Sequence, residues 1–89
     1  MKEVKTTTKY RKDFKRYANN KKKIQKLFGI VKLLQDEMSI PAEYKPHMLV
    51  GDYAGFMECH IEGDFLLIWI ENDCITLSRL GSHAELFDK

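Results

Sequence analysis

Between Asp64 and Glu71 the chain carries an unbroken apolar run, Phe65-Leu66-Leu67-Ile68-Trp69-Ile70. Turn-forming residues bound it, Glu62-Gly63 before and Glu71-Asn72-Asp73 after. A strand that offers no polar side chain to water on either face must be covered above and below, so the run predicts a central strand of a sheet packed on both sides. Its flanks supply neighbours. Phe56 to Ile61 reads as a strand joined to it by a two-residue turn at Glu62-Gly63, and Cys74 to Arg79 reads as the last strand. Gly81 ends that strand. Ser82-His83-Ala84-Glu85 fits a capping box, in which the hydroxyl and the carboxylate satisfy each other's backbone N–H groups, so a short helical turn is expected at Ser82.

The first half of the chain changes period. Val4 to Thr8 is β-branched and predicts a first strand. Thr8 is placed to cap a helix whose apolar stripe is Tyr10, Phe14 and Tyr17; Ala18-Asn19-Asn20 interrupts it. A second helix is expected from Lys21 to Glu37, with Ile24, Leu27, Phe28, Val31, Leu34 and Met38 on one side. Pro41 and Pro46 mark a loop. The order β-α-α-β-β-β plus a terminal turn is an α+β fold, an antiparallel sheet with an N-terminal helical hairpin on one face. At 89 residues one core is affordable and two are not, so residues 1–89 read as a single domain.

Charge is divided unevenly. Residues 1–26 hold eleven Lys and Arg against two acids, a formal +9, and residues 27–89 hold four against eleven, a formal −7. A basic half of this kind suits a polyanion or an acidic protein. No apolar run approaches the ~18 residues of a membrane span, and the charged N-terminus lacks a signal peptide's apolar stretch. Two cysteines, Cys59 and Cys74, are too few for a disulfide framework, so a reduced, cytoplasmic protein without membrane association is expected.

All three histidines, His47, His60 and His83, fall at element boundaries in the second half. Imidazole titrates near neutrality and suits proton transfer. With a two-residue first hairpin and a three-residue second one, His60 faces Phe65 and Phe65 faces Arg79, one row across three strands. Asp64 sits at the rim and His83 near the row's end. Such a set suits RNA cleavage by the 2′-hydroxyl. A base removes its proton, an acid protonates the leaving 5′-oxygen, a guanidinium stabilises the charged transition state, and an aromatic ring holds an unstacked base. No metal site is expected, because Cys59-His60, Cys74 and His83 match no common ligand spacing. No glycine-rich phosphate loop is present, and no cofactor is implied.

Several segments together resemble the YafQ branch of the RelE toxin superfamily: Tyr10-Arg11-Lys12-Asp13-Phe14-Lys15-Arg16, Tyr44-Lys45-Pro46-His47-Met48-Leu49, Gly51-Asp52-Tyr53-Ala54-Gly55-Phe56, Glu58-Cys59-His60-Ile61-Glu62-Gly63-Asp64-Phe65, and Arg79-Leu80-Gly81-Ser82-His83-Ala84-Glu85-Leu86-Phe87. The resemblance implies a RelE-like fold and a toxin that cleaves mRNA on the ribosome and is silenced by a cognate acidic antitoxin. Operator DNA would be bound only through that partner. It also implies active-site roles for His47, His60, Asp64, Arg79, His83 and Phe87. Phe65 stands where many members have Trp, so its ring is expected to stack on substrate. The competing expectation is a scaffold without catalysis that binds nucleic acid or an antitoxin; the histidines around one arginine favour the nuclease. Which group is acid and which is base stays open at this level.

Overall fold

The structure, a computed structural model, describes residues 1–87. Its strands are β1 (Val4–Thr6), β2 (His47–Met48), β3 (Met57–Glu62), β4 (Phe65–Glu71) and β5 (Ile75–Gly81). Its helices are α1 (Thr8–Tyr17), α2 (Lys21–Gln35) and α3 (His83–Phe87), with 3₁₀ turns at Ala42–Tyr44 and Gly51–Tyr53. The strands form one sheet in the order β1-β5-β4-β3-β2, so the apolar run lies in the middle as its composition requires. Phe65, Leu67 and Trp69 face the helical hairpin, with Leu27, Ile30 and Leu34 in the same core. Leu66 and Ile68 face the other way, under Leu86 and beside Leu49, Tyr53 and Phe56.

The sheet is mixed rather than antiparallel. β1 runs parallel to β5, pairing Val4 with Ile75 and Thr6 with Leu77. The two strands are distant in sequence and no tight turn joins them, so nothing local forces them antiparallel. The loop after α2 also contributes the short edge strand β2, antiparallel to β3, with His47 opposite Glu58. Thr7, not Thr8, caps α1: its hydroxyl accepts from the Tyr10 N–H at 3.0 Å. Asn20 caps α2 by accepting from the Lys23 N–H at 3.2 Å. The buried stripe of α2 takes in Ile30 and leaves Phe28 and Met38 exposed, at 56% and 59%. Phe28 instead stacks on Phe14 at the outer seam of the hairpin, ring centres 6.3 Å apart.

The tip of the β3–β4 hairpin is tethered to α2. Glu62 accepts from Lys23 and, at 2.8 Å, from Lys26. Those hydrogen bonds pull its carboxyl down from 4.5 to about 2. A carboxyl depressed by folding stabilises the native state above its unfolded value and ceases to do so as the pH falls through the folded one. Glu62→Gln should therefore lower the urea midpoint at neutral pH, modestly because the bridge is solvated. The difference from the parent should shrink below pH 4.5 and vanish near pH 2. Paired urea titrations across that range test this; a gap that stays constant in acid refutes the tether as the cause.

Candidate active site

Two β-bulges decide which side chains share a face. The first hairpin turns at Gly63-Asp64, with Glu62 opposite Phe65 and His60 opposite Leu66, so Ile61 is the extra residue on β3. Along β5 the pairing jumps from Trp69–Leu77 to Ile68–Arg79, leaving Ser78 as the extra residue. Each bulge inserts one residue and so exchanges the faces of the residues beyond it. His60 and Arg79 therefore do share a face, as expected from the sequence, but it is the face away from the helices. Phe65 is not on it. The predicted row His60–Phe65–Arg79 is corrected to two rows, His60–Leu66–Gly81 and His47–Glu58–Ile68–Arg79.

On this face the buried side chains of Leu66, Ile68 and Leu86 form an apolar floor. Polar groups stand around it. His47 Nε2 lies 3.0 Å from Glu58 Oε1, and His60 Nε2 lies 3.9 Å from the same oxygen. The Nδ1 of His60 is 3.2 Å from the Gly63 carbonyl, which can only accept, so Nδ1 carries hydrogen and Nε2 keeps its lone pair when the ring is neutral. Across a gap of 6.0 Å between ring centres stands His83. Its backbone N–H and its Nδ1 both meet Asp64 Oδ1, at 2.9 and 3.2 Å. Those contacts, the backbone one first, hold the Asp64 carboxyl below its ordinary range. Asp64 is thus an orienting acceptor that leaves the Nε2 of His83 outward. Phe87 packs beside His83 with ring centres 5.5 Å apart, and Tyr53 meets Phe87 edge-on at 5.7 Å.

α3 is placed by the capping box foreseen in the sequence. Ser82 Oγ accepts from the Glu85 N–H, and Glu85 accepts from the Ser82 N–H at 2.9 Å. Glu85 also binds the Tyr17 hydroxyl and sits 3.7 Å from Arg16, which ties α3 to α1. Gly81 is required here: its φ is 151°, and a Cβ would lie 2.6 Å from the Glu85 carboxylate.

Arg79 is held by a residue that sequence patterning did not single out. Asp13, on α1 and 2% exposed, accepts from Arg79 Nε at 2.8 Å and Nη2 at 3.2 Å, and from the Leu80 N–H at 3.0 Å. Hydrogen bonding to Asp13 raises the Arg79 pKa further, and Tyr53 adds to the effect. The guanidinium is therefore fixed through one edge by Asp13, with Tyr53 beside it. The signal for Asp13 was available: it is the one acid in α1, three residues after Tyr10 and so on the same inward stripe. Glu58 was also missed, although alternation along β3 puts it on the face of His60. Tyr53 comes from a loop, and no periodicity marks it.

Phe65 is a correction. It is 2% exposed in the helix-facing core, with Tyr17 4.6 Å from its ring centre and the Lys23 ammonium 5.0 Å above the ring. It has no surface to offer a base. Phe87, 38% exposed and beside His83, is the aromatic that does. Phe65→Ala should act on the fold, lowering stability by about 3–5 kcal/mol as truncation of a buried ring does. Urea unfolding measures this, and a variant as stable as the parent would show that the ring is not in the core.

The absence of a ligand cluster expected from sequence spacing is corrected too. Pairing of β2 with β3 brings donor atoms of His47, Glu58 and His60 within 4.8 Å of one another. Glu58 Oε2 is buried without a hydrogen-bond partner. Two imidazoles and a carboxylate with an unused oxygen fit a borderline divalent ion such as zinc or copper.

A sheet backed by an N-terminal helical hairpin is the architecture of the RelE-like toxins. Residues 2–88 match the family model for the bacterial toxin YafQ of type II toxin–antitoxin systems, and the chain belongs to that family. It is 35% identical over 80 residues to the mRNA interferase toxin YafQ of Escherichia coli K12, covering 88% of this chain and 87% of that one. The structure is similar to the toxin in the E. coli DinJ–YafQ toxin–antitoxin complex, with TM-score 0.86, 33% identity and 97% of each chain covered. It is similar also to a metal-bound toxin from Helicobacter pylori, with TM-score 0.89, 36% identity and coverage of 98% of this chain and 100% of that one.

Proposed function

We propose that this chain is the toxin of a type II toxin–antitoxin pair and cleaves mRNA, acting on the ribosome, by attack of the 2′-hydroxyl on the adjoining phosphate. The observation that carries the reading is the pair His60 and His83. Both have Nδ1 tied to an oxygen, both keep Nε2 for a reactant, and their ring centres stand 6.0 Å apart. One takes a proton while the other gives one, which is what attack and departure on opposite sides of a phosphate demand. His60 is the base for the 2′-hydroxyl. Asp64 is already engaged by two donors from His83, so it orients that ring, and His83 protonates the leaving 5′-oxygen. Arg79 stabilises the charge that develops on the non-bridging oxygens, using the edge that Asp13 leaves free. His47, partnered by Glu58, stands at the far side of the row and steadies the phosphate. Phe87 stacks on the base of the departing nucleotide.

Every step is performed by side chains of this chain. An ion held by His47, Glu58 and His60 would supply Lewis acidity at the same place. Cleavage on ribosomes should continue in EDTA once the magnesium needed by the ribosome is restored; strict dependence on added zinc or copper would reverse the assignment. The relatives' complex with DinJ supports an antitoxin partner, and the +9 of residues 1–26 favours an acidic one. Among the described residues no helix is long and apolar enough to cross a membrane, which is compatible with action on cytoplasmic ribosomes.

His83 is exposed and outside the core, so His83→Gln should fold normally and lose about 10²–10⁴ in single-turnover cleavage. Arg79→Ala is a poor probe, because it leaves the buried Asp13 carboxylate unpaired and threatens the fold. Arg79→Lys keeps the charge and loses the fork, and a comparable fall in rate is expected. Products should end in 2′,3′-cyclic phosphate or 3′-phosphate. A folded His83→Gln protein that cuts at the parent rate, or products with 3′-hydroxyl ends, would reject this mechanism.

A further inference from the structure

His60 has a second neighbourhood. It also lines a cavity of about 460 Å³ beside the 3₁₀ turn Ala42–Tyr44, within the range of small-molecule sites. It is walled by Lys26, Glu43, Tyr44, Lys45, His60 and Gly63, among others. The turn ends on Lys45 in the left-handed conformation, φ 50°, with its N–H bonded to the Ala42 carbonyl at 2.9 Å. A non-glycine residue fixed in this region costs energy, and such strain collects where a side chain must be aimed. Glu62, the other acid of the wall, is occupied by Lys23 and Lys26. Glu43 and Lys45 have no ion-pair partner among the described residues and remain available to a ligand.

Resting on the nuclease reading above, we propose that this cavity is the subsite for the nucleobase on the 5′ side of the cleaved bond, and that it selects bases carrying an amino group, guanine best of all. The placement follows from the chemistry of the base. The attacking 2′-hydroxyl is brought to His60, and its own nucleobase is attached to the next ribose carbon, so that base must lie close to the same imidazole. The floor toward His83 is taken by the departing nucleotide, and the cavity is the other space that His60 lines. Tyr44 supplies an aromatic wall, and stacking on such a wall accepts any base. Glu43 supplies the discrimination. A carboxylate accepts from the paired N1–H and amino group of guanine, or from the amino group of adenine or cytosine. It meets carbonyl oxygens on both sides of the N3–H of uracil. Lys45 donates to guanine O6 or to the neighbouring phosphate.

The test uses the purified full chain and two product-like probes, 3′-GMP and 3′-UMP, followed by backbone amide shifts. With 3′-GMP the amides of Tyr44, Lys45 and Gly63 should move together with that of His60, and 3′-UMP should bind about tenfold more weakly. Glu43→Gln should remove that difference, and Tyr44→Ala should weaken both probes about tenfold. In cleavage, Glu43→Gln should alter the base found 5′ of the cut. Shifts confined to His60, His83 and Phe87 would overturn the subsite, as would equal affinities for the two probes in the parent. A parent protein that cuts RNA while its cavity stays unperturbed refutes the subsite and leaves the nuclease reading standing. A cavity that takes 3′-GMP in a protein that never cuts supports the binding site and refutes the nuclease reading.

Discussion

The buried carboxylate of Asp13 is the interaction on which the rest of the molecule depends. β1 covers β5 only as far as Leu77, and beyond that point the edge of β5 would present unpaired backbone groups. α1 crosses there. Thr7 donates its hydroxyl hydrogen to the Ser78 carbonyl at 2.9 Å, and Asp13 accepts the Leu80 N–H. With its remaining capacity the same carboxylate binds the Arg79 fork, so one group closes the sheet edge, fastens the helical hairpin and sets the cation of the site. A buried carboxylate is tolerable only with such a full complement of donors. A change at Arg79 is therefore a change to the fold.

The site is built mostly on the sheet, with loops completing its rim. His60 and Glu58 are two residues apart on β3, and His47 is opposite Glu58 on β2. The contribution of α3, His83 and Phe87, is fixed from three directions, by the Ser82–Glu85 capping box, by Asp64, and by the Tyr17 hydroxyl on Glu85. The Tyr17 hydroxyl is raised to about 12 by burial and by that carboxylate, so it stays a donor throughout the physiological range. Groups positioned in this way need little rearrangement to meet a phosphate, which is the condition for electrostatic catalysis.

Much of this was legible in the residues. The apolar run fixed β4 at the centre, the change from period 3.6 to period 2 located the helices and the strands, and Ser82-His83-Ala84-Glu85 announced the cap of α3. Histidines at element ends, with a single arginine outside the basic half, pointed to proton transfer beside a cation. The misplaced row of site residues has one origin. Side chains alternate along a strand, so each unforeseen bulge exchanges the faces of the sheet, and bulges at Ile61 and Ser78 moved His60 and Arg79 together, away from Phe65. Two shifts of the same parity preserved the pair and lost the aromatic.

The amino-acid sequence determined the two long helices and the three long strands, which residues can carry protons, and where the positive charge lies, because these depend on local periodicity, side-chain chemistry and composition. Tertiary structure alone decided that β1 lies parallel to β5 at the sheet edge, that Asp13 holds Arg79 across 66 positions of chain, and that Glu58 stands between two histidines. Those contacts join segments far apart in sequence, and their geometry depends on strand register. Register is settled by the packing of both faces of the whole sheet, so no local window of residues contains it.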